Sequence, residues 1–208
     1  MLMIDWLTRN FKIGNNYIIL QQHSEELNAL LADQLVAPFH IGRKHNLWGE
    51  LAHQLPRIGQ RLGWVPNLLP ALFLNRTVQE EIADAAAAAE QLLQPASRHF
   101  DLARQLLTRL GVEQMAYRSP LSLSEGETKI AWFLTQWVKS PDYLIIGYLP
   151  ANLFAPKVIE LVDFILDRTN QPPGPKTIIL GYQADQIDWC MKLLARSDWH
   201  KVDSLPEL

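Results

Sequence analysis

LSLSEGETKIAWFLTQWVKSPDYLIIGYLP, residues 121–150, carries the reading of the fold. Ser124-x-x-Glu127 ahead of an apolar run is a capping box. The serine hydroxyl and the glutamate carboxylate each take a backbone N–H that the first helical turn leaves unpaired, so a helix opens at Ser124 and runs to about Lys139. Pro141 closes the connection, since it has no N–H with which to continue a helix. The unbroken apolar run 143–146 then predicts a strand buried on both faces. That strand ends in Gly147-Tyr148, and neither side chain supplies a carboxylate to hold a metal ion or accept a proton.

Working outward, the apolar run 17–20 after the turn Gly14-Asn15-Asn16 predicts a second buried strand. Ser24 with Glu25 and Glu26 reads as an N-cap and acidic first turn, opening a helix to about Val36. Residues 37–61 follow no clear period. Thr77-x-x-Glu80 is another capping box, opening a helix through 83–94. A second helix, 97–110, stops at Gly111 in the C′ position. Residues 156–170 form an amphipathic helix, the Pro-Gly turn 171–175 leads to a strand at 177–180, and a last helix covers about 184–195. Strands alternating with helices predict an α/β fold with a mainly parallel sheet. The helical pair at about 77–118 reads as an insertion.

Composition sets limits on function. At 208 residues, 48% hydrophobic and 20% charged, the chain suits one domain, or a core with a small inserted subdomain. A net charge of -3 gives no footing for nucleic acid or an anionic membrane. Cys190 stands alone, which excludes a disulfide frame and fits a reducing compartment. The N-terminal segment lacks the apolar region of a secretory signal, and the apolar runs 67–74 and 143–154 are too short or interrupted to span a bilayer. His23, His40, His45, His53, His99 and His200 have no metal-ligand spacing, so no metal and no cofactor is expected. His23-Ser24 lacks the positioned acid of a triad. Asp185 and Asp188 suit the first turn of a helix, and Glu125 with Lys129 reads as an ordinary surface i,i+4 pair. The seven tryptophans are expected mainly in the core. The stretch 64–74, WVPNLLPALFL, is apolar for a loop region and reads as insert core or as a docking patch.

The order of these segments resembles an ABC-type ATPase, the nucleotide-binding cassette of ATP-driven transporters. Residues 106–141 look like that family's last insert helix, its linker and its LSGGQ-type signature helix. Leu123-Ser124-Glu125-Gly126-Glu127 matches four of five signature positions when Glu is accepted at the last. Residues 62–67 followed by 77–82 look like the Q-loop strand and the start of the helical insert, and 176–180 like the strand before the switch histidine. The resemblance spans roughly residues 12–195. It implies a RecA-like, P-loop-NTPase-type core at 1–70 and 120–208, a helical subdomain inserted at 71–119, and a shortened N-terminal β region without the adenine-stacking aromatic.

The departures from the family are systematic. Aligned without gaps from Gly14, the phosphate loop falls on residues 21–29, QQHSEELNA. Gln21, Ser24 and Glu26 stand in a loop without glycine, Leu27 takes the lysine's place, and Asn28 that of the magnesium-binding Ser or Thr. Carboxylates where the anion belongs cost on the order of a few kcal/mol at an effective dielectric near 20. Asn67 replaces the Q-loop glutamine, Gly147 and Tyr148 the Walker B carboxylates, residues 151–154 the D-loop, and Tyr182 the switch histidine.

The resemblance therefore implies a catalytically inactive cassette, not an enzyme, that acts by binding. Its implied partners are an intact ABC ATPase subunit, an integral membrane transporter subunit, or both, with a cytoplasmic place that extends to the inner face of the membrane. Ser124, Gly126 and Glu127 are the candidates for touching a nucleotide held by the opposite subunit, through the serine, backbone N–H groups and the helix dipole. A plain helix cap remains the other reading of these residues. A stand-alone scaffold without nucleotide is the alternative function, and an enzyme using the remodelled pocket a third.

Overall fold

The computed structural model describes residues 3–20, 25–26, 29, 61–65, 73–148, 155–167, 173–182 and 187–203. Among these the fold is α/β. The strands are β1 (Asn16–Leu20), β2 (Leu62–Val65), β3 (Tyr143–Tyr148), β4 (Thr177–Tyr182) and β5 (Trp199–Val202). They form one wholly parallel sheet in the order β2-β3-β4-β1-β5. The helices are α1 (Met3–Asn10), α2 (Val78–Ala89), α3 (Ser97–Arg109), α4 (Glu125–Trp137), α5 (Ala155–Leu166) and α6 (Ile187–Leu194). Two compact units result: Met1–Asn67 with Pro141–Tyr148 and Lys176–Leu208, and Leu68–Ser140 with Leu149–Pro175.

The first unit is built on the sheet. Tyr17, Ile19, Tyr143, Ile145 and Ile179 are buried, and so are Ile18, Leu144, Ile146, Ile178 and Leu180, which alternate with them. Both faces are therefore covered, as the unbroken apolar runs require. On one face Trp6, Leu7 and Phe11 close a cluster with Tyr17, Ile19, Leu62, Tyr143, Ile145 and Ile179. Phe11 meets Tyr17 edge-on at 4.9 Å, and its carbonyl accepts a 2.8 Å hydrogen bond from the Tyr143 hydroxyl. The phenol is thus buried with its polar end satisfied.

Asn16, fully buried, ties three strands together at their amino ends. Its Nδ2 donates to Asp198 Oδ2 at 3.0 Å, just before β5, and its Oδ1 accepts from the Ile178 N–H of β4 at 3.0 Å. Gly14, at φ +97°, donates its N–H to the buried Thr177 hydroxyl at 2.9 Å. Neither α1 nor β5 has a clear sequence signal. An eight-residue helix has little room for periodicity, and β5 is an edge strand whose middle residues, His200 and Lys201, are exposed.

The second unit is helical, and its ends follow the local chemistry read from the sequence. Thr77 Oγ1 accepts from Glu80 N–H at 3.2 Å while Thr77 N–H donates to Glu80 Oε2 at 2.9 Å, the complete capping box. After α3, Gly111 at φ +64° donates to Thr108 O and Val112 N–H to Leu107 O, the paired bonds of a Schellman end. The start of α3 is different. Ala96 has no capping oxygen, and its N–H donates to Nδ1 of the buried His99 at 2.8 Å, so this histidine serves as a cap.

α4 is buried around most of its circumference, including Lys129, Thr135 and Gln136 among the apolar side chains. A helix of that kind is a core element rather than a surface one. At its C-terminal end Trp137 is fully buried, tilted against Phe133 at 5.2 Å and edge-on to Phe164 of α5 at 4.9 Å, with the Arg109 guanidinium 4.8 Å from the Phe164 ring centroid. Trp6, Trp137 and Trp199 are in the core as expected, and Trp64 and Trp132 are half-buried.

Candidate functional site

Ser124 caps α4 from an extended conformation, φ -66° and ψ 164°, and its Oγ accepts from Glu127 N–H at 3.3 Å. Glu127 answers with Oε2, which accepts the Ser124 N–H at 2.9 Å. Its other oxygen, Oε1, is held by Arg118 Nη1, while Arg118 Nη2 donates to the Ser122 carbonyl at 2.6 Å. The Glu127 carboxyl is held below its usual range, chiefly by the Ser124 backbone N–H, then by the Arg118 guanidinium and the Ser124 hydroxyl.

Ser124 and Glu125 are exposed, and Gly126 and Glu127 half-buried. The cap uses one acceptor lone pair of the hydroxyl, which leaves its proton to donate outward. Cap and contact with an external anion are therefore compatible on the same atom. Formal charge around the turn balances, with Glu125 and Glu127 against Arg118 and Lys129.

Lys129 departs from the expectation of an ordinary surface pair. It is only 6% exposed, because α4 is packed on that side too. Burial pushes its ammonium down to about 8, with the Glu125 carboxylate opposing the shift. The unfolded chain keeps the ordinary value of 10.5, so between about 8 and 10.5 it binds more protons than the folded one. Stability therefore rises with pH across that window. Urea titrations at pH 7.5 and pH 10 should show wild type gaining relative to Lys129→Met, by about 2 kcal/mol. A flat difference between the two proteins would show that Lys129 is not desolvated.

In the first unit, the carboxyl ends of β1, β4 and β3 lie side by side, where parallel sheets usually hold their ligands. Leu20 pairs with Tyr182, and Tyr148 with Gly181. The pairing moves from Ile146↔Leu180 to Tyr148↔Gly181, so Gly147 is the extra residue of a β-bulge. Gly147 is buried and Tyr182 is 7% exposed. The structure thus brings Gly147, Tyr148 and Tyr182 to the carboxyl end of the sheet, and none of the three is a carboxylate. Glu26 is exposed, whereas Gln21, Ser24, Leu27, Asn28 and Asn67 lie outside the described residues, as do His23, His40, His45, His53 and Asp185. Among the described residues no cluster of His, Cys, Asp or Glu is arranged to hold a metal ion.

Sequence reasoning missed Arg118. It lies nine residues before Glu127, a spacing that marks no local motif, so only the tertiary path of the linker reveals it.

No protein-family model and no curated protein sequence matches the chain. Solved structures do match its fold. One is the ATP-binding subunit of an ABC transporter, with a TM-score of 0.58 and 15% identity, covering 83% of this chain and 69% of that one. Another is an ABC transporter described as metal-chelate type, in an inward-facing conformation, with a TM-score of 0.50 and 13% identity, covering 81% and 62%. The parallel α/β sheet is therefore the RecA-like frame of such subunits.

This likeness corrects one expectation, that the chain is not an enzyme. The frame it shares is one on which an ATP-binding subunit is built. Missing side chains in an ungapped alignment are no ground for exclusion, because phosphate loops bind largely through backbone N–H groups, which every residue but proline carries. Among the described residues no helix is long and apolar enough to cross a membrane.

Proposed function

We propose that the chain is an ABC-type cassette subunit of an ATP-driven transporter assembly, presenting Ser124, Gly126 and Glu127 to a nucleotide held by the opposite subunit. It pairs with an intact ATPase subunit, docks on a transporter's membrane domain, or does both. In such a dimer each ATP lies between one subunit's phosphate loop and the other's signature turn. Hydrolysis then belongs to the assembly, and this chain contributes the signature half of one composite site.

The observation that carries the reading is the α4 N-terminus: an exposed serine with a proton to donate, at the positive end of a helix, within a fold similar to an ATP-binding subunit. In the same reading residues 71–119 act as the inserted helical subdomain and 1–70 with 120–208 as the core. The chain's own phosphate site is altered from the family pattern, since β3 ends in Gly147-Tyr148 and β4 in Tyr182. Its place is on the cytoplasmic side, peripheral to the membrane.

A second reading, a scaffold without nucleotide, draws support from the completeness of the cap. Ser124 and Arg118 each bond Glu127, and the second arm of Arg118 holds the Ser122 carbonyl. The experiment is affinity purification of the chain from its native cells in mild detergent with Mg-ATP, with mass spectrometry of co-eluting proteins. Recovery of an intact ABC ATPase or a permease supports the assembly. Recovery of the chain alone, or with unrelated soluble proteins, sinks it and leaves the scaffold.

A further inference from the structure

We infer that Arg118 is a positioning residue that couples the first turn of α2 to the signature turn of α4. The idea rests on the reading of Ser124–Glu127 as the working end, but the link itself is made of bonds within one helical unit. Three segments meet at this residue. Its backbone carbonyl accepts the Val78 N–H at 3.1 Å, taking one of the donors that the start of α2 leaves unpaired. One arm of its guanidinium holds Glu127 and the other the Ser122 carbonyl. Glu127 in turn caps Ser124.

The chain of contacts continues on the α2 side. Gln79 N–H donates to Ala116 O at 3.0 Å, so two successive α2 amides are anchored on the linker that leads to α4. Asn75, ahead of the Thr77 cap, donates through Nδ2 to Asp84 Oδ2 at 2.7 Å and through its N–H to Glu81. A displacement of the segment entering α2 thus bears on α2's first turn, from there on the Arg118 backbone, and through the rigid guanidinium fork on the Glu127 carboxylate. A lysine in its place has one compact donor group and cannot hold both Glu127 and Ser122 O in the same fork geometry.

The arrangement gives the signature turn an input from Asn75, 49 positions before Ser124 in the sequence. Arg118 is then the device by which a displacement at Asn75 alters the aim of the Ser124 hydroxyl. It does not touch nucleotide itself.

The test uses the isolated full chain, so it does not depend on finding the partner. Amide hydrogen exchange of the segment 124–128 is measured in wild type, Thr77→Ala, Arg118→Met and the double variant. Loss of the Thr77 cap should loosen α2's first turn and raise exchange at 124–128 by about fivefold when Arg118 is present. In the Arg118→Met background the same change should add nothing at 124–128 while still raising exchange in α2. Equal increases in both backgrounds, or no increase at 124–128 in Thr77→Ala, would overturn the coupling. If Arg118→Met does not fold, Arg118→Lys is used, with coupling expected to fall by more than half and an unchanged coupling counting against the fork. Should the coupling hold while no ABC partner is ever recovered, the link stands and only the transporter reading falls.

Discussion

Under the proposed assembly with an intact ATPase partner, replacing Ser124 by arginine should lower ATP turnover by about a hundredfold or more. The serine sits at the N-cap of α4, exposed, with one lone pair committed to Glu127 N–H and its proton available. Arginine removes both that donor and the cap, and fills the space a γ-phosphate would need. Loss of the cap alone costs about 1 kcal/mol of stability, too little to explain such a collapse in turnover.

The control is Ser124→Asp. Aspartate is as good an N-cap as serine, so the fold should keep its stability, but its carboxylate meets the phosphate with like charge. Under the trans-contact reading both variants are inactive, and only the arginine variant is slightly less stable. If the partner's stimulated ATPase is indifferent to either change, the composite site is abandoned and the turn is a helix cap. The assay is phosphate release by the reconstituted assembly beside urea unfolding of the isolated chain.

The largest structural effect is expected at the other end of the same helix. Trp137→Ala should destabilise the chain by about 3–5 kcal/mol, against a total for ordinary domains of about 5–15 kcal/mol. The indole is wholly buried and its Nε1–H donates to Pro173 O at 2.9 Å. Phe133 and Phe164 press on it at 5.2 and 4.9 Å, and a Cβ on Gly174 would meet its Cζ2 at 3.3 Å. Truncation leaves a cavity that rigid aromatic neighbours cannot close, and a carbonyl without its donor. Trp137→Phe keeps most of the volume and should cost roughly half as much or less. Urea unfolding decides the point. A loss below about 1 kcal/mol for the alanine variant would mean that the three-ring cluster is not packed as described.

What was legible in the sequence was local. Thr77 with Glu80 and Ser124 with Glu127 are three residues apart, and Gly111 needs only its own backbone freedom, so their pattern is complete in a short window. Strands 143–146 and 177–180 announced themselves because central parallel strands are apolar on both faces. α1 escaped notice, since its buried side chains among the described residues are Trp6 and Leu7, with Phe11 just beyond its end. β5 escaped as a four-residue edge strand with two exposed positions.

The turn at Ser124 shows the same division. Its cap could be read, but the burial of Lys129 could not, because i,i+4 spacing to Glu125 looks alike on a wet face and on a packed one. Nor could the Arg118 link, which exists only because the linker folds back on α4. The expectation of no enzymatic role failed for a related reason, since it judged a fold by the side chains at a few aligned positions.

By itself the sequence determined the α/β class, the capped starts of α2 and α4, the glycine end of α3 and the apolar strands, all set by interactions within a few residues. Only the tertiary structure decided the strand order β2-β3-β4-β1-β5, the clasp of Asn16 across three strands, the bulge at Gly147, and the joining of Arg118 to Glu127. Those depend on which distant segments are brought together, and burial of apolar surface, being non-directional, leaves that choice to the packing of the whole chain.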